Sequence, residues 1–359
     1  MAIVLRFPMF FRTVCVPIFM IIASSCQGLE WLPKKHAAFF IFGDSLYDAG
    51  NNNYIKTLPD FQSNYWPYGE TSFGFPTGRT TDGRIIPDFI CEYAKLPLIP
   101  PYLHPGAHDY TYGENFASAA AGSLVETNRG FVIDLKTQLG YFNKVEKVLR
   151  QKLGIVQAKK LLSRAVYLIS IGSNDYFAPF FTNSSFIEFH SQDEYVGMVI
   201  SNFTNAIQEI HKNGGSKFGF ISMGPFGCIP MIKALFPETK TACVDKVTTL
   251  AKLHNKAFST LLQELGRQLK DFKYSMLDYY TTTSERLEDP SKYGFKEGKI
   301  ACCGTGPYRG LYSCGGKRLV TKEYELCDNP NDYLFFDALM WSGNSDVTGP
   351  YNLKALFEL

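Results

Sequence analysis

Apolar runs of strand length alternating with amphipathic stretches of helical period predict an α/β protein, a three-layer α/β/α domain built on a central parallel sheet. Ala37 to Phe42, Ala165 to Ile171, Lys217 to Ser222 and Lys273 to Leu277 read as strands. The nearly unbroken apolar character of the first two suits strands covered on both faces, which is how parallel sheets are built. Between them, Ile85 to Lys95, Leu135 to Leu153, Tyr195 to Lys212 and Val244 to Leu269 read as helices. In the second of these the apolar residues Leu139, Phe142, Val145, Val148 and Leu149 recur at helical spacing. Neither a repeat nor a low-complexity tract interrupts the alternation, so residues 29–359 are expected to form one domain.

The stretch Asn51 to Gly83 fits neither pattern. It is rich in Asn, Pro, Gly and aromatics without a period, and reads as a long surface excursion of the kind that builds substrate sites.

Composition excludes several functions. With 45% hydrophobic and 19% charged residues and a formal net charge of +2, the chain has no basic run that would track a phosphate backbone, so nucleic acid is not an expected partner. Nor do repeats suggest a structural wall protein.

Residues 1–28 read as a secretory signal peptide. Arg6 and Arg12 precede an apolar run from Val14 to Ala23, and small or polar residues follow from Ser24 to Gly28. That run is shorter than the ~20 residues of a spanning helix, and no later segment reads as a stable membrane span. The expected location is therefore extracellular or in the cell wall. Beyond the signal lie Cys91, Cys228, Cys243, Cys302, Cys303, Cys314 and Cys327. An odd number leaves one free, expected to be Cys91 in its apolar helical run, and the other six suit three disulfides of unspecified pairing. The spacings lack the paired ligands of a zinc site, so no metal is expected. Asn183 and Asn202 begin glycosylation sequons.

Ser45 stands just past the first strand in the turn Gly43-Asp44-Ser45, and Asn174 stands just past another. Both fall at carboxyl strand ends, where open α/β sheets place their sites. A serine nucleophile needs a base, an orienting carboxylate and donors for the oxyanion. The turn supplies the serine and, in the Ser45 backbone N–H, one such donor.

The run Phe42-Gly43-Asp44-Ser45-Leu46-Tyr47-Asp48-Ala49-Gly50-Asn51-Asn52 closely resembles the first signature block of plant GDSL esterases/lipases. Gly113 to Ser118, Ile171 to Asp175 and Asp332 to Asp337 resemble that family's later blocks. The likeness runs from about residue 37 to the closing Tyr351 to Leu356. It implies an SGNH-hydrolase, flavodoxin-like fold, hydrolysis of acyl or lipid esters, and no cofactor. Carried over, it makes Ser45 the nucleophile, Asp337 the orienting carboxylate, and Asn174, Gly122 and the Ser45 N–H the oxyanion donors. Around Gly122, however, the chain reads Ser118-Ala119-Ala120-Ala121 where the family carries more glycine, so an alanine N–H could substitute only without positive φ.

The larger departure is at the end. The family pattern is Asp, two residues, then the catalytic His, whereas Asp337-Ala338-Leu339 is followed here by Met340. Trp341-Ser342-Gly343 resembles sequence well beyond that histidine, so a segment carrying it is inferred to be absent. None of His36, His104, His108, His190, His211 and His254 is spaced to replace it. His104, His108 and His254 read as solvated or capping residues. Two expectations follow: an ester hydrolase by descent with activity impaired, or a noncatalytic binding protein using the cleft and Tyr65, Trp66 and Tyr68 for a lipid or carbohydrate.

Overall fold

A computed structural model describes residues 38–182, 190–239, 243–319 and 322–343. The signal segment, His36, Asn183 and the Tyr351 to Leu356 motif lie outside the described residues. Five parallel strands form the central sheet: β1 (Phe39–Gly43), β2 (Gly113–Asn115), β3 (Val166–Ser170), β4 (Lys217–Ile221) and β5 (Lys273–Leu277). Their order is β2-β1-β3-β4-β5, so the topology reverses between β1 and β3, the switch point where such sheets open a crevice. The register Phe39↔Val166 through Gly43↔Ser170 brings those two strand ends level.

Helices cover both faces. Phe40, Phe42 and Tyr167 point to one face and meet Phe142 of α2 (Leu135–Leu153), with centroids 5.3 Å, 5.8 Å and 5.7 Å away. On the same side Phe220 packs against Phe258 of α7 (Asp245–Gln268), and α5 (Gln192–Lys212) lies beside α7. The alternate residues Phe39, Ile41, Val166 and Leu168 face the other way, into a core with Ile86 and Ile90 of α1 (Ile86–Tyr93), Ile232 of α6 (Pro230–Leu235) and Tyr279 of α8 (Tyr279–Glu288). Period-two alternation on continuously apolar strands thus produces the three layers. Two further helices complete the set, α3 (Ile155–Arg164) and α4 (Ser173–Thr182).

The disulfides are Cys228–Cys243, Cys302–Cys327 and Cys303–Cys314, with Cys91 free and buried. Burial raises the Cys91 thiol pKa to about 12, the behaviour of an inert packing thiol. No helix among the described residues is long and apolar enough to cross a membrane. Asn202 lies on α5, half-buried, where its Nδ2 donates to the Met198 carbonyl.

The stretch 51–83 is only in part the surface excursion that its composition suggests: Tyr54, Trp66 and Phe75 are exposed, but much of the rest is not. Asn51, Asn52, Tyr68, Arg79, Thr80, Thr81 and Asp82 are all buried. Its many short polar side chains satisfy buried backbone groups instead of facing water, which is why no hydrophobic period betrays it.

Candidate active site

The two strand ends at the switch point are tied together directly: the Asp44 N–H donates to the Ser170 carbonyl at 3.0 Å. Asp44 then turns its carboxylate inward, accepting from Ser173 Oγ at 2.7 Å, from the Leu46 N–H at 3.2 Å and, more weakly, from Asn174 Nδ2 at 3.5 Å. Burial raises its pKa to about 6, against the lowering effect of the Ser173 hydroxyl. Asn174 Nδ2 also donates to the Ala121 carbonyl at 2.9 Å. The neighbours of Ser45 and of Gly122 therefore both hold Asn174, and these three sequence-predicted positions share one neighbourhood.

Ser45 itself is half-buried. Its carbonyl accepts from Thr80 Oγ1 at 2.7 Å, while no group among the described residues hydrogen-bonds its Oγ.

The second block is stitched to the first by side chains that the motif comparison left without roles. Asp48 is fully buried; one oxygen accepts from the Gly50 and Asn51 N–H groups, both at 2.7 Å, and the other from Ala119 N–H at 2.9 Å. Asn51 donates to the Asn115 and Ala117 carbonyls, Asn115 returns a bond to the Tyr47 carbonyl, and Asn52 reaches the Ala119 carbonyl. Gln138 of α2 pairs with both the N–H and carbonyl of Gly43 at 2.9 Å. The signal for them lay in the density of Asp and Asn after Ser45, residues suited to binding backbone in tight turns.

Gly122 is buried, and a Cβ there would overlap the Asp175 carboxylate and Thr127. Asp175 takes bonds from the Ser123 and Leu124 N–H groups and from Thr127 Oγ1, and burial raises its pKa to about 6. Ala120 adopts φ of 66°, so the alanine run does include a position in the left-handed region that glycine would occupy without strain.

Asp337 lies elsewhere in the hydrogen-bond pattern. It is fully buried, with Oδ2 accepting from the Tyr68 hydroxyl at 2.5 Å and Oδ1 from the Leu339 and Met340 N–H groups at 2.9 Å and 2.7 Å. Arg318, also buried, donates to the Tyr68 hydroxyl at 2.5 Å. Burial raises the Asp337 pKa, while Arg318 and Tyr68 oppose that shift. The Phe336 N–H closes the turn on the Met340 carbonyl at 2.8 Å. The strand Tyr333–Phe335 is thereby reversed, and Trp341 packs on Phe335 with ring centroids 4.4 Å apart. Tail and site stay adjacent, since Gly343 N–H donates to Asp82 and Thr81 Oγ1 reaches the Trp341 carbonyl.

Two of the histidines also differ from expectation. His254 is neither solvated nor capping: it is 2% exposed on α7, bonded to the Tyr176 hydroxyl at 2.9 Å and enclosed by Phe203 and Phe258. Burial depresses its pKa to about 3. The helix spacing that placed it beside Ala251 and Phe258 is that of a core face. His108 pairs with buried Glu114 at 2.9 Å and with the His104 carbonyl, so it too is held rather than solvated.

The GDSL-like lipase/acylhydrolase family model matches residues 39–342. GDSL esterase/lipase 2 of Arabidopsis thaliana is 54% identical over 344 residues, covering 91% of each chain. GDSL esterase/lipase 1 of the same plant is 51% identical over 350 residues, covering 93% of this chain and 94% of its own. A solved acetylxylan esterase from Geobacillus stearothermophilus, 12% identical, aligns with a TM-score of 0.35 over 71% of this chain and 83% of its own. With three of the family blocks meeting at one switch point and the family match spanning nearly all the described residues, the chain belongs to the GDSL-like lipase/acylhydrolase family.

Proposed function

We propose that this protein is a secreted GDSL-type hydrolase for carboxylic esters whose turnover is crippled at the general base. In this reading Ser45 is the nucleophile, and the Ser45 and Gly122 N–H groups with the Asn174 amide face the oxyanion. Asp337 corresponds by resemblance to the family's orienting carboxylate. The substrate would be an acyl or lipid ester, taken without metal or organic cofactor.

The observation that carries the proposal is the closed environment of Asp337. Its two oxygens are occupied by Tyr68, Leu339 and Met340, while Met340, which cannot accept a proton, follows where the family places its histidine. His254, buried on α7, lines a small cavity with Asp44, Ser173 and Ser222. Its depressed pKa makes it a poor proton acceptor at neutral pH. Without its base, a serine hydrolase loses about 10⁶ in turnover, retaining roughly 10³–10⁴ over water from oxyanion stabilisation and binding.

Labelling with a fluorophosphonate probe tests the assignment. An unactivated Ser45 should label more slowly than an active serine esterase by several orders of magnitude, and Ser45→Ala should abolish what labelling remains. Rapid stoichiometric labelling at Ser45 would refute the loss of the base; labelling unaffected by Ser45→Ala would refute the nucleophile.

A further inference from the structure

One stretch of the sequence, Lys144 to Arg164, concentrates cations. Helices α2 and α3 form a hairpin turning at Gly154, and from Lys144 to Arg164 it carries seven Lys or Arg against one acid, Glu146. That is a net +6 within a chain of net +2, so the rest of the chain carries −4. Glu146 is taken up by Arg150, and Lys152 lies 3.4 Å from Asp109. Lys147, Lys159 and Lys160 project exposed.

A second cluster extends this charge. Lys217 and Lys273 stand opposite each other at the start of β4 and β5, and exposed Arg164 precedes β3, whose Val166 pairs with Lys217. Like charges directly opposite in a sheet repel. Burial, and after it Lys273 and Arg164, lower the Lys217 pKa.

At the hairpin turn the apolar character is inverted. Ile155 is 68% and Val156 77% exposed, and Val148 on α2 is 40% exposed. The helix positions that do face the protein, Ala158, Leu161 and Leu162, are buried, so the exposed pair is additional to the packing face of α3.

We propose that this basic hairpin, led by Ile155 and Val156, docks the protein on an anionic lipid bilayer surface. An apolar tip ringed by lysines matches the two layers it would meet, phosphate headgroups and the acyl boundary beneath them. An acidic polysaccharide would satisfy the lysines but leave the aliphatic pair in water. Gln138, bonded to Gly43 beside the site, lies sixteen helical positions before Gly154, or about 24 Å along α2 at 1.5 Å per residue. The Ser45 end is thus turned away from the bound surface, and docking is independent of Ser45 chemistry.

Vesicle flotation of the full chain tests this, using phosphatidylcholine alone and phosphatidylcholine with phosphatidylglycerol. Selective binding to the anionic vesicles is expected, weakened about tenfold as NaCl rises from about 0.1 M to about 0.5 M. Ile155→Asp with Val156→Asp, and separately Lys159→Glu with Lys160→Glu, should each weaken binding about tenfold or more while the far-UV circular dichroism stays unchanged. All four residues are exposed, so both variants should fold. Absence of selective binding would overturn the proposal. So would binding that survives the aspartate pair, or retention on polygalacturonate that depends on the lysines alone while vesicles are ignored.

Discussion

Across 269 residues of sequence, the Tyr68 hydroxyl donates to Asp337 Oδ2 at 2.5 Å, and that same hydroxyl receives Arg318. The bond joins the stretch after the first signature block to the last one, in a pocket walled by Tyr65, Phe336 and the Cys302–Cys327 and Cys303–Cys314 disulfides. Asp337 therefore acts in this chain as a structural acceptor.

Replacing Asp337 by Ala should cost about 1–3 kcal/mol or more, because Tyr68 and two turn N–H groups lose their acceptor in a buried place. Urea unfolding measures it. Equal stability of Asp337→Ala and the parent would show that the cluster contributes nothing net.

The buried pair Cys303 and Cys314 closes a loop of separation 11. Substituting both by Ser should lower stability by about 2–4 kcal/mol, read as a fall in the denaturant midpoint.

Ala120 holds a φ that glycine accepts more readily. Ala120→Gly should therefore leave stability unchanged or raise it by up to about 1 kcal/mol, with relief of strain set against the greater chain entropy of glycine. A marked drop in melting temperature would show that the Ala120 methyl packs favourably.

For His254 the folded pKa of about 3 lies below the ordinary 6.5. Below pH 6.5 the unfolded chain takes up a proton that the folded chain refuses, so this residue's contribution to stability is full above 6.5 and is lost as pH falls toward 3. Comparison with His254→Gln isolates it: the parent should lose ground at up to about 1.4 kcal/mol per pH unit. A pH-independent difference between the two would contradict the buried neutral imidazole.

Much of the fold was legible because its strands are apolar runs and its helices strictly periodic; β3 and β5 fall where periodicity put them. That Ser45 and Asn174 stand just past strand ends was legible for the same reason, since a strand end at a switch point is fixed by topology. The buried part of residues 51–83 was not, because backbone satisfied by Asp and Asn side chains has the composition of a surface loop. His254 reads as solvated or capping because nothing in its spacing pairs it with Ser45, yet its place on the apolar face of α7 buries it. The Asp337 cluster was invisible, since Tyr68, Arg318 and Asp337 are distant in sequence and only the folded disulfide region brings them together.

The loss of the general base is tested most directly by hydrolysis of p-nitrophenyl butyrate by the purified protein and by its Ser45→Ala variant. The proposal predicts that the parent turns over at no more than about 10³–10⁴ times the uncatalysed rate and that Ser45→Ala does so nearly as fast, because the residual comes from oxyanion stabilisation and binding and not from the serine. Turnover typical of esterases, about 1–10³ per second, abolished by Ser45→Ala, would contradict it and require a base outside the Asp-x-x-His pattern.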